Sequence, residues 1–406
     1  STQDIIKRAL RASGVEKHTE VAVWETEPYK VYPLSSRVMK DALALPFAYP
    51  KEFRFERPVL VDRKQIKAWN RIVTQQPNWG KRYKNLRKAF KDYYVATVRT
   101  WEIDPNYPLL SYCFRRYELS KEQEYWWCWL YGTFYHPGTL FWFAQEFPEF
   151  EKVDVGRLER WHAANWKKLR YNTDRKYEKG HLVEMFLSYR EMIGDQSQEQ
   201  FFSQLLGSDD PRENFHRVWK RLLNLRRFGR YAVYIYTEAL ARCMGMPIEA
   251  DTCFLKEAKS SRNGLCYAIG KTEWVDASLK EIDFQELESE TEQLMAELRE
   301  EHPDLPVDYW FMESAYCAFK GFMRSTKGRY LGYYIHRMAD EILQVQQEPI
   351  AAGVDWNVLW QFRQESLPWA YLGELRDPPI LKIHKPWEHL FRDTGEMIGL
   401  FSGILR

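Results

Sequence analysis

The chain has 406 residues and a net charge of +2, because 59 lysines and arginines nearly balance 57 aspartates and glutamates. This balance excludes a polycationic protein that holds nucleic acid over its whole surface, so any nucleic-acid footprint must be local. The length allows two or three packed units. Seventeen tryptophans and 25 tyrosines supply core material, and their rings can also stack on an extruded base.

The cysteines and the hydropathy indicate the compartment. The six cysteines are widely spaced and form no CxxC pair, so the sequence indicates neither a disulfide framework nor a metal site. No apolar run reaches the roughly eighteen residues that span a bilayer, and the first residues lack the features of a signal peptide. We therefore expect a soluble, intracellular protein.

Residues 1–100 are predicted to form an N-terminal arm followed by a basic and aromatic helical segment. A short helix over residues 5–13 precedes a stretch punctuated by prolines. Between residues 61 and 94, basic residues that include Lys81, Arg82 and Lys84 alternate with Trp and Tyr. This alternation suits a groove that follows a nucleic-acid backbone. A solvated helix face explains the pattern equally well.

Residues 101–275 are predicted to form a helical core. Residues 109–147 are hydrophobic on every side, which predicts a buried central helix with a turn at residues 135–138. An amphipathic helix is expected over residues 155–170.

The loop at residues 171–180 is basic and precedes a helix predicted over residues 182–193. It carries Arg175 and Lys179, and the helix N-terminus adds a positive end, so the loop suits a phosphate or pyrophosphate group. A solvated turn is the alternative.

Residues 222–253 combine a basic turn, an apolar helix and a lone acid. The basic segment at residues 226–231, which includes Arg226 and Arg227, is predicted to open a helix that runs to about Met244, where Gly245-Met246-Pro247 ends it; Asp251 follows. This order resembles the helix-hairpin-helix DNA glycosylases, in which hairpin amides grip a DNA phosphate and the aspartate is catalytic. The chain departs from that pattern in having one hairpin glycine, Gly229.

Residues 276–406 are predicted to be a C-terminal helical part that completes the site. Before it, residues 259–264 are expected to be a flexible basic loop and residues 271–276 a short strand. Residues 279–301 are acidic and indicate a solvated helix.

Two sets of polar residues in this C-terminal part share helix faces. Glu313, Cys317 and, one step round, Lys320 lie on one face, while Tyr333, Arg337 and Glu341 lie on another. A functional site and a buried structural network both fit these patterns.

The fold class follows from what is absent from the sequence. It contains no P-loop, GxSxG, HExxH or Rossmann glycine pattern, and strand-like alternation is scarce. We predict a mainly α, multi-helix fold of the DNA-glycosylase-like kind, with few short strands.

Short patterns spread over residues 100–375 resemble the bacteriophage amino acid:DNA transferases, also called α-glutamyl/putrescinyl thymine pyrophosphorylases. The patterns are Asp104-Pro105-Asn106-Tyr107-Pro108, Tyr131-Gly132-Thr133-Phe134-Tyr135-His136-Pro137, Thr173-Asp174-Arg175 with Lys179, Phe228-Gly229-Arg230-Tyr231, Glu313-x-x-x-Cys317-x-x-Lys320-Gly321, Arg329-Tyr330 and Tyr334-x-x-Arg337.

The resemblance implies an activity on double-stranded phage DNA in the host cytoplasm. In that family, 5-hydroxymethyluracil replaces thymine and is activated to the 5-pyrophosphoryloxymethyl form. The amine of an amino acid or a polyamine then displaces pyrophosphate. Glycine is the favoured donor here, and no cofactor is expected. A relationship of this family to helix-hairpin-helix glycosylases agrees with the pattern of residues 222–253.

The reaction requires groups that the sequence can supply. Fixed cations must meet the departing pyrophosphate, and a carboxylate must accept the proton of the attacking amine. Rings must hold the extruded base. The predicted residues are Arg175, Lys179, Arg230 and Arg337 for pyrophosphate, Asp251 and then Glu313 as the base, Tyr231, Tyr333, Tyr334 and Lys320 for the base or amino acid, and Lys81, Arg82, Lys84, Arg226 and Arg227 for DNA.

Three alternatives stay open at this point. The first is a thiolate route, in which Cys317 or Cys253 adds to the uracil ring, although a buried inert thiol is the simpler interpretation of either residue. The second is a DNA glycosylase that uses Asp251. The third is a non-catalytic DNA-binding protein, for which residues 61–94 suffice.

Overall fold

The computed structural model describes residues 85–99, 101–323, 333–346, 348–351 and 353–367. The predictions for the short helix at residues 5–13 and for Lys81, Arg82 and Lys84 lie outside the described residues. Within them the secondary structure is helical and contains no strand. This confirms the mainly α, multi-helix fold class.

The described chain divides into two compact units. Unit 1 consists of the described residues within Ser1–Pro105, Thr252–Ala339 and Trp360–Arg406, and unit 2 consists of those within Asn106–Asp251 and Asp340–Leu359. Segments far apart in the sequence thus pack together in unit 1.

The α-helices are numbered along the described chain. Unit 1 contains α1 (Leu86–Arg99), α10 (Lys259–Ala268), α11 (Glu281–Glu301) and α12 (Tyr309–Met323). Unit 2 contains α2 (Asn106–Arg116), α3 (Lys121–Phe134), α4 (Pro137–Glu146), α5 (Val155–Asn165), α6 (Leu182–Ile193), α7 (Gln198–Leu205), α8 (Pro211–Leu222) and α9 (Arg230–Met244). The residues of α13 (Tyr333–Gln346) and α14 (Asn357–Ser366) are divided between the units.

Helix α3 forms the centre of unit 2, and its residues from Tyr125 to Phe134 are all buried. This confirms a buried central helix within residues 109–147 and the turn near residues 135–138, but the run forms parts of three helices, α2, α3 and α4, because it is also broken at residues 117–120. Helix α9 packs against α3, and Gly132 permits this contact because a Cβ there would lie 2.8 Å from the Cβ of Tyr236. The Trp129 ring stacks on Tyr189 with a centroid distance of 5.0 Å. Many of the aromatic residues are therefore core.

Helix α9 ends at Met244, as predicted, and it begins at Arg230, within the segment at residues 226–231 that was predicted to open it. Gly229 is its N-cap, and Gly245 ends it in the left-handed region with a φ of +68°, where a residue without a side chain is favoured. The helix predicted over residues 182–193 is also confirmed, as α6. The one expected over residues 155–170 ends earlier, at Asn165.

In unit 1, α10 packs closely along α12. A Cβ on Gly264 would lie 1.8 Å from the main-chain oxygen of Tyr316, so only glycine allows this approach.

Basic and acidic helices pair in the same unit. Arg87 on α1 bonds to Glu290 and Glu297 on α11, with N–O distances of 2.7 and 2.6 Å. The described end of the basic stretch at residues 61–94 is thus partly neutralised within the protein.

Two local predictions in unit 1 are wrong. Residues 259–264 are not a loop but the start of α10, where Ser261, Asn263 and Gly264 are buried. These small polar residues favour loops in isolation, but here they let two helices approach. Residues 271–276 are not a strand; they include a short 3₁₀ helix at Thr272–Trp274.

The acidic helix predicted over residues 279–301 is confirmed as α11, but it is not solvated all round. It buries Leu287, Thr291, Leu294, Met295 and Leu298. Because these residues recur every three or four positions, they form one stripe along the helix that faces the core.

Candidate active site

The face of α12 that meets the first turn of α10 holds an unusual group of polar side chains. We call Ser260, Ser261, Glu313, Cys317 and Lys320 the polar cluster. The Ser261 hydroxyl donates to Glu313 Oε1 at 2.8 Å. Lys320 Nζ donates to Ser260 Oγ, which lies 3.2 Å from Cys317 Sγ.

The polar cluster lies among buried apolar side chains. Glu313 is only 8% exposed, and a buried carboxylate is costly unless donors satisfy it. Its neighbours along α12 are buried apolar residues, among them Trp310, Phe311, Met312, Ala315 and Phe319. Charged and nucleophilic groups kept inside such a helix are candidates for chemistry.

The sequence prediction found three of the five residues of the polar cluster. The spacing of Glu313, Cys317 and Lys320 correctly placed the three on one face of a helix. Ser260 and Ser261 were missed, because their segment was interpreted as a loop. A helical interpretation of residues 259–268 would have revealed them.

Arg175 is the most buried of the predicted pyrophosphate ligands, at 3% exposed. Its guanidinium donates to the carbonyl oxygens of Thr133 and Arg227 at 3.1 and 2.8 Å, and it lies 4.8 Å above the Phe228 ring. Burial lowers its pKa, but arginine stays charged at neutral pH. Arg175 therefore holds the basic turn at residues 226–228 against the core of unit 2.

The two arginines predicted to bind DNA form ion pairs on the surface of unit 2. Arg226 bonds to Glu191 at 3.2 Å and Arg227 to Glu184 at 3.3 Å. Each guanidinium remains about half exposed, at 55% and 41%. Their charges are thus partly balanced, although both remain accessible to solvent.

Arg230 and Tyr231 lie at the N-terminus of α9. The Arg230 guanidinium is 5.9 Å from the centre of the Tyr231 ring, which meets Tyr135 edge-on at 5.8 Å. Both residues are half-buried. A predicted cation and a predicted stacking ring are therefore neighbours at a helix end that favours anions.

Lys179 has contacts different from those of Arg175, although both lie on the 3₁₀ segment Thr173–His181. Its Nζ donates to the Lys167 carbonyl at 2.7 Å. Burial, and then the charge of Arg170, lower its pKa. Four residues apart on a 3₁₀ helix, the two side chains point about 120° apart.

Asp251 forms a pair that the sequence did not reveal. Its Oδ2 lies 2.8 Å from Nε2 of His216 on α8. The side chains are 31% and 57% exposed, so solvent reaches both. No local pattern could have found His216, because the two residues are 35 positions apart.

Tyr333, Tyr334 and Arg337 lie on α13 within unit 1. The two tyrosine rings meet edge to face at 5.1 Å, and Arg337 is half-buried. The Tyr334 amide donates to Glu102 Oε1 at 3.1 Å. Glu102 is 1% exposed, and the sequence analysis missed it.

These observations describe a helical protein that has the polar cluster, with its carboxylate, thiol and amine, in unit 1 and a basic helix N-terminus in unit 2. The sequence model of a family described as Amino acid:DNA transferase matches residues 110–326, which is more than half of the chain. The chain therefore belongs to this family, as the resemblance implied, and it is a transferase that acts in the transfer of an amino acid onto phage DNA.

A similar protein is the "Serinyltransferase" of Salmonella phage ViI. It is 25% identical to this chain over 301 residues, which cover 68% of this chain and 72% of that protein. The family match includes the whole polar cluster, together with Arg175, Arg230 and Asp251, and it ends before Tyr333. No helix among the described residues has the length and apolar character needed to cross a bilayer.

Proposed function

We propose that this transferase displaces pyrophosphate from 5-pyrophosphoryloxymethyluracil in phage DNA with the amine of an amino acid, in the cytoplasm of the infected host. The observation that carries the proposal is the buried Glu313, held by Ser261 at 2.8 Å beside a lysine and a thiol. The polar cluster thus combines a base, a cation and hydrogen-bond donors for a small zwitterion.

Glu313 is proposed as the base. A free amino acid is mostly an ammonium ion at neutral pH and must lose a proton before it attacks. The bond from Ser261 occupies one oxygen of the carboxylate and fixes its orientation. A carboxylate fixed in this way can first attract the ammonium and then accept its proton, so that a neutral amine is available to form the C–N bond.

Lys320 is proposed to bind the carboxylate of the donor. An ammonium group carries three N–H donors, so its bond to Ser260 is compatible with a second bond to a carboxylate. Glu313 and Lys320 are seven residues apart on α12, which is about 10 Å along a helix axis. That span suits a small amino acid held by its two charged ends.

The remaining predicted residues keep their proposed functions. Arg230, Lys179 and Arg337 are proposed to meet phosphate charge, and Tyr231, Tyr333 and Tyr334 to contact the base or the donor. Arg175 is proposed to act through the turn that it holds. Arg226 and Arg227 are proposed to contact the DNA backbone. Asp251, with His216, is the second proposed base.

The donor is proposed to be glycine or serine. Glycine is the donor favoured from the sequence, while the name of the phage ViI relative supports serine. Serine also carries two nucleophiles, an amine and a hydroxyl. A reagent for primary amines separates the two products, because only an O-linked serine keeps its primary amine.

The test is an incubation of the protein and the modified DNA with glycine or serine, followed by digestion to nucleosides and mass measurement. A nucleoside that has gained the donor, together with free pyrophosphate, is the expected result. A free modified base would instead support a glycosylase. Unchanged nucleosides with DNA binding retained would contradict the proposal and support a non-catalytic protein.

The two proposed bases are separated by substitution. Glu313→Gln is expected to lower the transfer rate by ~10²–10⁴-fold, the usual contribution of a general base. Asp251→Asn is expected to have a smaller effect. The opposite order of effects would move the base to the Asp251–His216 pair.

A further inference from the structure

We propose that Cys317 is a nucleophile that bonds transiently to C6 of the target uracil while pyrophosphate departs. This inference rests on the proposed function and adds a covalent step to it. It starts from the bonding around the sulfur atom, which differs from that around the other cysteines described.

The hydrogen bonds of the polar cluster run in one direction. Lys320 is an ammonium group that can only donate, so Ser260 Oγ accepts from it. The hydroxyl hydrogen of Ser260 is then available to Cys317 Sγ, which lies 3.2 Å away. A hydroxyl donor aimed at sulfur, with a cation behind it, can stabilise the negative charge that the sulfur carries when it leaves the ring.

Other cysteines have environments that favour the thiol. The Cys253 thiol is 2% exposed and donates to the Tyr309 carbonyl at 3.5 Å, an interaction that a thiolate cannot make. Cys243 has the same kind of bond, to the Tyr107 carbonyl at 3.4 Å. Burial raises the pKa of the Cys266 thiol to about 11, and the buried Cys113 thiol also has a raised pKa.

The uracil ring explains why a thiolate would help. C6 of the ring is the β-carbon of an unsaturated carbonyl and accepts a thiolate. Cys317 releases its proton to solvent, its sulfur bonds to C6, and the electron pair of the C5–C6 double bond moves toward the C4 carbonyl as an enolate. The enolate forms a double bond from C5 to the exocyclic carbon, and the C–O bond to pyrophosphate breaks with its electron pair.

The second half of the step returns the enzyme to its starting state. Glu313, which lies one helical turn from Cys317, takes a proton from the ammonium of the donor, and the neutral amine then bonds to the exocyclic carbon. The electron pair again moves to the C4 carbonyl, then restores the C5–C6 double bond as the sulfur leaves as a thiolate. Glu313 then releases its proton to solvent, and the thiolate takes up a proton from solvent. No oxidant or further reactant is needed, and the amine meets an activated acceptor.

In the covalent route, pyrophosphate leaves before the amine reacts, so pyrophosphate release can be measured in the absence of any amine. Full-length protein and modified DNA are mixed without any amine and quenched on a millisecond-to-second scale. We expect a rapid release of about one pyrophosphate per enzyme together with a protein–DNA adduct that survives denaturation, since a nucleophile forms a covalent intermediate that accumulates as a burst. Peptide masses should map the adduct to Cys317.

Substitutions test whether Cys317 is the nucleophile. Cys317→Ser should remove the rapid phase and lower transfer by at least ~10²-fold, whereas Cys243→Ser, a half-buried control, should retain both. Ser260 is a positioning residue, so Ser260→Ala should slow the rapid phase of pyrophosphate release that is measured without any amine. Ser260→Thr should restore the rate.

Two failures can be told apart. If the wild type transfers the amino acid but releases no pyrophosphate without amine, and no adduct forms, the covalent route is wrong and direct displacement stands. If the wild type releases no pyrophosphate even with amine present, the proposed function fails and the covalent route fails with it. The adduct and burst are measured on the wild type, so the test survives a variant that does not fold.

Discussion

Gly264→Ala is predicted to disrupt the polar cluster by separating two helices. The added Cβ would lie 1.8 Å from the Tyr316 oxygen, and this contact is with main chain, which cannot swing aside. The shortfall from an ordinary contact is roughly 1.5 Å, and overpacking of this kind costs about 1–3 kcal/mol. A similar shift would stretch the 2.8 Å bond from Ser261 to Glu313 beyond hydrogen-bonding distance.

The loss of that bond adds to the cost. A buried hydrogen bond to a charged group contributes about 1.5–3 kcal/mol, so the free energy of unfolding should fall by roughly 2.5–6 kcal/mol in total. Urea unfolding measures it, with an unchanged m-value as the sign of two-state behaviour. Transfer should fall in the same variant, even under conditions where it remains folded, because Ser260 and Ser261 move away from α12.

Gly180→Ala is the matched control. No atom lies within 4 Å of a Cβ at Gly180, so its stability should stay within about 0.5 kcal/mol of the wild type. If Gly264→Ala were as stable and as active as Gly180→Ala, the close packing of α10 on α12 and its importance for the cluster would both be refuted.

Three further predictions concern stability. Arg175→Met leaves two buried main-chain carbonyls unsatisfied and should lower the free energy of unfolding by about 2–4 kcal/mol in urea; unchanged stability would contradict its structural function. Burial and the hydrogen bond that protonated Glu151 donates to the Glu122 carboxylate raise the pKa of Glu151, so this favourable pairing is present at acidic pH and lost as the pH rises through the raised value. Glu151→Gln keeps a donor at every pH and should therefore gain stability over the wild type between about pH 4 and 7, by less than about 1 kcal/mol at this exposed site; thermal melts against pH check it, and a constant difference would refute it. Arg87→Met removes the ion pairs with Glu297 and should cost about 1 kcal/mol in low salt and less in high salt, as urea unfolding at two salt concentrations would show; a cost that does not change with salt would contradict an electrostatic origin.

The sequence predicted those parts of the fold that local physics decides. Helix α9 begins at Gly229 and stops at Gly245 because capping depends on residues within one turn. Helix α3 was recognisable as buried because every side of it is apolar. The spacing of Glu313, Cys317 and Lys320 likewise gave their common face, since helical periodicity is local.

The rest depends on contacts between distant segments. Small polar residues at the start of α10 look like a loop until Tyr316 is packed against Gly264. The basic loop at residues 171–180 gives no sign in the sequence that the Arg175 guanidinium bonds to the carbonyls of Thr133 and Arg227. The pairing of His216 with Asp251 joins residues that no sequence pattern connects.

The central claim is that amino-acid transfer and pyrophosphate release are one reaction that depends on Glu313. The most direct measurement counts pyrophosphate released and amino acid attached in the same samples of wild type, Glu313→Gln and Glu292→Gln, the last being an exposed acid on α11 that serves as a charge-matched control. The account predicts equal amounts in the wild type and the control, and a joint fall of ~10²–10⁴-fold in Glu313→Gln. Amino acid attached without pyrophosphate, or full activity in Glu313→Gln, would contradict it.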